Sequence, residues 1–187
     1  MGLDPLRVDN KGNSLLHHAA KRFEGPSGEE YIKQILDYGI SVNTKNLEGR
    51  TPIHDQIGHR FILNPEGERP LASLLAIFQK NAGSSFDINS QDSEGVTALH
   101  VAAMRSKIAA ALVTRAGGDT SILTNSGRSV LHLACRARKS NVVGFLLHET
   151  GNLLINKADT FDEHLSMMRA LQEDQNPCIT YSKREQT

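Results

Sequence analysis

The chain has 187 residues, no tryptophan and 5% aromatic residues, with 21 basic side chains against 21 acidic ones. That length suits one ordinary domain, but so few aromatics fit a thin, repetitive core of Leu, Ile, Val and Ala better than a deep globular one. The balanced charge gives no reason to expect a nucleic-acid or membrane ligand, and the two cysteines, Cys135 and Cys178, make no disulfide framework.

No apolar run approaches the roughly 20 residues that span a bilayer. The first residues lack the charged-then-apolar order of a secretory signal. Met1-Gly2 opens like a myristoylation signal, but Leu6 stands where Ser or Thr is needed. There is no Asn-x-Ser/Thr sequon. With two cysteines and no signal, the expected setting is reducing and intracellular, in cytoplasm or nucleus.

In chain order, residues 2–12 read as a hairpin turn leading into Gly12-Asn13-Ser14-Leu15-Leu16-His17-His18-Ala19-Ala20. This predicts a helix from about Ser14 to Arg22, capped by Ser14. Residues Glu24 to Gly28 are dense in turn formers and break the chain. Ser27 is the expected cap of a second helix, in which Tyr31, Ile32, Ile35, Leu36 and Tyr38 have helical spacing, and Gly39 ends it.

Gly49-Arg50-Thr51-Pro52-Ile53-His54 opens the next helix, with Pro52 at the first helical position, where its missing N–H costs nothing. Residues 61–69 follow as a long loop containing Asn64-Pro65-Glu66-Gly67. This loop is either a binding element, as insertions in solenoids often are, or a tolerated length variation, since closure entropy grows slowly with length. Pro70 is expected to start the outer helix, with Leu71, Leu74, Leu75, Ile77 and Phe78 buried.

Gly95-Val96-Thr97-Ala98-Leu99-His100-Val101-Ala102-Ala103 and Gly127-Arg128-Ser129-Val130-Leu131-His132-Leu133-Ala134-Cys135 repeat the pattern. An outer helix is expected over Lys107 to Arg115, and another around residues 141–147, where Gly144 suggests a close helix contact. Beyond Asp159 the pattern fades into a degenerate half repeat and a polar tail.

The four histidines His17, His54, His100 and His132 are 37, 46 and 32 residues apart. In each copy a hydroxyl (Ser14, Thr51, Thr97, Ser129) stands three residues earlier, where an N-cap accepts from an orphaned N–H of the first turn. The histidine occupies the position of the Glu or Gln of a capping box, from which its ring can reach back towards the cap. The glycine two before the hydroxyl (Gly12, Gly49, Gly95, Gly127) suits a positive φ. Alanine pairs let neighbouring helices approach closely.

The motif resembles the ankyrin signature Gly-x-Thr-Pro-Leu-His-x-Ala-Ala, whose period is about 33 residues. The resemblance implies an all-α solenoid of helix-turn-helix units joined by hairpin-like turns. The expected organisation is repeats over residues 1–158 (about 9–45, 46–91, 92–124 and 125–158), a capping half repeat at 159–175 and a loose tail at 176–187. A start inside a repeat suggests a piece of a longer array, the other reading being a natural start with a short cap.

Chemistry is not expected. His17-His18 and His54 with His59 lack the spacing of a zinc site, and the cap hydroxyls beside histidines have no repeated third acid to make a triad. No phosphate loop, dinucleotide fingerprint or nucleophile elbow occurs. Neither an enzyme, a cofactor nor a metal is indicated.

By resemblance, a protein partner meets the hairpin tips and the concave face of the inner helices. Carried over by motif position, the tips are Asn10, Lys11, Asn13, Leu47, Glu48, Arg50, Ser93, Glu94, Val96, Asn125, Ser126 and Arg128. The inner-helix positions are Lys21, Arg22, Met104, Arg105, Arg136 and Arg138. Their charge predicts a basic stripe on a neutral monomer, suited to an acidic partner segment; the alternative is ordinary solvated arginines. A regulatory or targeting segment of a larger enzyme or receptor is the second reading, and a nucleic-acid binder the third, opposed by zero net charge and the lack of interleaved aromatics.

Overall fold

A computed structural model describes residues 5–23, 25–59, 68–82 and 85–149. Over these residues the chain forms helices α1 (Leu15–Lys21), α2 (Gly25–Asp37), α3 (Pro52–Gly58), α4 (Glu68–Ala82), α5 (Ala98–Ala103), α6 (Lys107–Arg115), α7 (Val130–Arg136) and α8 (Ser140–Glu149), with no strand among them. The short helices α1, α3, α5 and α7 stack on one another as an inner layer. The longer α2, α4, α6 and α8 stack behind them as an outer layer.

Each inner helix starts in the same way. Ser14, Thr51, Thr97 and Ser129 are extended, and the histidine three residues on turns back so that its Nδ1 accepts the cap residue's backbone N–H at 3.1–3.2 Å. The cap hydroxyl lies 2.7–2.9 Å from the same nitrogen. Helices of six or seven residues are too short to persist alone in water; here the cap and the stacking of an apolar face hold them.

The hairpins between repeats are built by side chains at their first corner. Asp9 accepts from the N–H groups of Lys11 and Asn13, Asn46 from those of Glu48 and Arg50, and Asp92 from those of Glu94 and Val96. These are Asx turns, in which a short polar side chain mimics the backbone. The tips then join along the stack. Leu47 N–H donates to the Lys11 carbonyl, Ser93 N–H to that of Glu48 and Asn125 N–H to that of Glu94, at 2.9–3.0 Å. At Gly95 (φ 77°) a Cβ would stand 2.6 Å from the Asn125 backbone nitrogen, so close approach of the tips and left-handed backbone both demand glycine there.

One continuous core runs between the layers. Leu16, Ile53, Leu99 and Leu131 from the inner helices meet Ile32, Leu71, Leu74, Phe78, Val113 and Leu146 from the outer ones, all fully buried or nearly so. Each such side chain contributes on the order of 1.5–3 kcal/mol by leaving water. Phe78 and Phe86 pack edge-to-face at 5.7 Å, seating the end of α4 on the next loop.

Several expectations are corrected. Ser27 is not the cap of the second helix, because α2 already begins at Gly25; a proline in the first turn needs no N–H partner, so Gly25-Pro26 starts the helix instead of breaking the chain. Pro70 likewise does not start α4, which begins at Glu68. Gly144 marks no close contact: a Cβ there meets nothing within 4 Å. Tyr31 and Tyr38 share helical spacing with Ile32 and Ile35 but face solvent. Residues 61–67 of the 61–69 loop, residues 150–158 of the fourth repeat, the half repeat and the tail lie outside the described residues. No described helix is long and apolar enough to cross a membrane.

Candidate protein-interaction surface

The cap geometry determines the tautomer of the motif histidines. An Nδ1 that accepts a backbone N–H carries no proton, so the proton sits on Nε2. In His17 that Nε2–H donates to the Arg50 carbonyl at 2.9 Å, and in His54 to the Val96 carbonyl at 3.1 Å. His100 faces the Arg128 carbonyl at the same place of the next repeat, without closing a bond of normal geometry. Each acceptor is the residue before the next cap, so these rings tie one repeat's helix to the following hairpin. Burial, the largest cause, lowers the pKa of His17 and His54 and brings that of His100 down to about 4. These rings serve the stack. Cys135 is equally committed: burial pushes its thiol up to about 11, which leaves no reactive thiolate at neutral pH.

Between the tips and the inner helices runs an open groove in two joined compartments. The first, about 640 Å³, lies between the second and third tips and over α3 and α5; Glu48, Arg50, Asp55, Asp92, Met104 and Arg105 are among its lining residues. The second, about 410 Å³, lies one repeat further along and is lined by Met104, Thr124, Asn125, Arg128, Leu133 and Arg136, among others. Ser93, Glu94, Val96 and Met104 belong to both.

A family model described as ankyrin repeats, in three copies, matches residues 66–159, about half of the chain. The chain belongs to the ankyrin-repeat family. The match begins just before α4. The inner helices before it, α1 and α3, carry the same caps and histidines. Among curated proteins the ankyrin chain is 28% identical to mouse (Mus musculus) Rabankyrin-5 over 127 residues, 67% of this chain and 10% of that protein. It is 32% identical to the Arabidopsis thaliana E3 ubiquitin-protein ligase KEG over 108 residues, 57% and 6% of the two chains. It is 30% identical to the Gallus gallus nuclear factor NF-kappa-B p105 subunit over 122 residues, 64% and 11%. The chain thus spans about a tenth or less of these relatives. Ankyrin repeats are in general protein-interaction modules.

Within this ankyrin groove the sequence-derived positions have distinct situations. Lys11, Glu48, Glu94 and Ser126 stand exposed at tips. Asn13 is turned inward and committed to Asp9 and Asn46. Lys21 is paired with the buried Asp55, Nζ to Oδ2 3.1 Å. Arg50 lies 3.6 Å from Asp92 and 3.7 Å from Glu48. Arg105 donates from Nη2 to the Gly58 carbonyl at 2.6 Å, a cation on the last residue of α3. Arg22 and Arg138 are exposed but line neither compartment, and Arg138 has a left-handed backbone (φ 55°). Arg136 is exposed, with no described carboxylate in ion-pair range.

Sequence reasoning missed Asp55, Asp92, Val101 and Leu133 as lining residues. The missing signal is the register of the motif: Asp55, Val101 and Leu133 all directly follow a motif histidine, so one helical position after His lines the groove. Asp92 was hidden because the first corner of a tip reads as turn chemistry.

Proposed function

We propose that the chain is a non-catalytic protein-recognition module that holds a partner segment in the groove between its hairpin tips and inner helices. The observation that carries this reading is the continuity of the two compartments, which share Ser93, Glu94, Val96 and Met104 and so form one extended trough. Rigid walls support it: tips hydrogen-bonded to one another and helices capped onto the next hairpin cost little ordering on binding. Met104, Val96 and Leu133 supply apolar contact, and Arg136 supplies an exposed cation for an acidic side chain of the partner. The stack works as a monomer inside the cell, with repeats at 9–45, 46–91, 92–124 and 125–158.

The test is affinity capture from lysate with three baits of matched helicity: the natural chain, Met104→Glu with Arg136→Glu, and Tyr38→Glu on the outer layer. A partner kept by the first and third and lost by the second supports the groove. Equal retention by all three contradicts it.

A second reading has its own support. The relatives include an E3 ubiquitin-protein ligase and a nuclear factor NF-kappa-B subunit of which this chain matches about a tenth or less. On this reading the module is a regulatory or targeting segment of a larger protein, and the reading frame on either side of the coding sequence decides it.

A further inference from the structure

The two compartments of the groove differ in the charge they leave open. In the first, every cation is already engaged: Lys21 by Asp55, Arg50 by Asp92 and Glu48, and Arg105 by the Gly58 carbonyl. Glu48 is well exposed and only loosely held at 3.7 Å, and Glu94 stands free at the junction. A ligand entering here finds open carboxylate and no open cation. In the second compartment a cation is open instead: Arg136 is exposed and in no described ion pair. Between the two lies an apolar floor of Val96, Met104 and Leu133.

The geometry points to an extended peptide of bipolar charge as the occupant, with a basic side chain over Glu48, an apolar one on Met104 and an acidic one at Arg136. This rests on the groove reading above and replaces a uniformly acidic partner with an ordered one. Helices α3 and α7 are two helix spacings apart, about 16–20 Å at the usual 8–10 Å each. An extended strand rises about 3.3 Å per residue, and Glu48 precedes α3 while Arg136 ends α7, so the basic and acidic side chains are at least about five or six residues apart, with the apolar residue between them. A uniformly acidic segment meets repulsion from Glu48 and Glu94 at one end, and like charges brought together without a counter-ion oppose binding. The arrangement sets register as well as affinity, because sliding the peptide by one repeat places its acid over carboxylates.

The experiment is selection of a random peptide library displayed on phage against the whole 187-residue chain. Enriched peptides are then measured on Arg136→Glu, Glu48→Lys and Met104→Glu, each checked by circular dichroism. Arg136 and Glu48 are exposed, so their variants keep the fold. The expected result is a basic–apolar–acidic order at the stated spacing and roughly tenfold weaker binding to Arg136→Glu. Reselection on Arg136→Glu should exchange the acidic position for a basic one. Peptides that lose binding on Met104→Glu but are acidic throughout, or indifferent to Glu48→Lys, overturn the bipolar order and leave the groove reading standing. No enrichment, or enrichment insensitive to all three variants, overturns both.

Discussion

His17 on the first inner helix donates its Nε2–H to the carbonyl of Arg50 on the second hairpin, 2.9 Å away, while its Nδ1 accepts the N–H of Ser14 on its own cap. One ring therefore joins three segments of chain, two of them 33 residues apart. His54 repeats the arrangement toward Val96. The consequence is that the neutral imidazole is a structural part of the repeat interface. A second proton has to go on Nδ1, where it faces a donor.

Stability should therefore fall in mild acid. The folded pKa of His17, His54 and His100 lies below the unfolded value of 6.5, with His100 at about 4, mainly through burial. Below pH 6.5 the unfolded chain binds protons that the folded chain refuses, so the stabilisation is complete above that pH and is lost between about 6.5 and 4. His100 alone can account for up to about 3 kcal/mol over that interval. Asp9, held well below the usual carboxylate range first by its Asn13 side-chain hydrogen bond, matters only at more acid pH. Urea midpoints at pH 7.5, 6 and 5 should decline steadily; a flat profile contradicts the neutral-ring account.

Two glycines should respond in opposite directions to alanine. At Gly144 a Cβ meets open space in helical backbone, so Gly144→Ala should stabilise by about 0.5–1 kcal/mol. At Gly95 the backbone is left-handed and the Asn125 tip is in the way, so Gly95→Ala should cost at least about 1–2 kcal/mol. Thermal melts of the two variants check this, and like-signed shifts count against the described tips.

Gln56 stands where the other inner helices carry the buried alanines Ala19, Ala102 and Ala134, and its Oε1 is buried without a described partner. Replacing it by methionine keeps most of the volume and removes the unmet polar atom. The expected gain is about 1 kcal/mol, read from the denaturant midpoint. A loss instead means the amide is satisfied.

Lys21 holds the buried Asp55 carboxylate at 3.1 Å. Lys21→Met leaves that charge without its counter-ion and should cost roughly 1–3 kcal/mol, tempered by the partial exposure of the lysine. Adding Asp55→Asn should recover part of the loss. If the single variant melts with the natural chain, the pair carries nothing.

The repeat was legible because its determinants are local. A glycine, a hydroxyl, a histidine and two small residues fall within one turn and one helix start, so Gly95 to Ala103 can be read without knowing what it touches. Other features depend on distant neighbours. Arg105 engages Gly58, 47 residues earlier, and only the stacking of α5 on α3 brings them together. The basic stripe was inferred from equivalent helix positions, yet Lys21 and Arg105 are engaged by partners from the neighbouring helix, a relation that spacing does not reveal. Gly25-Pro26 and Gly144 failed in another way, since the same residues serve as breakers or as tolerated helix members according to whether their N–H groups and vacant Cβ positions meet anything.

The most direct measurement is a hydrogen-exchange footprint of the natural chain with the partner retained in the three-bait capture. The account predicts new protection at the tips around residues 93–96 and 124–128 and along α5 and α7, with α2, α4, α6 and α8 unchanged. Protection confined to the outer helices would contradict it.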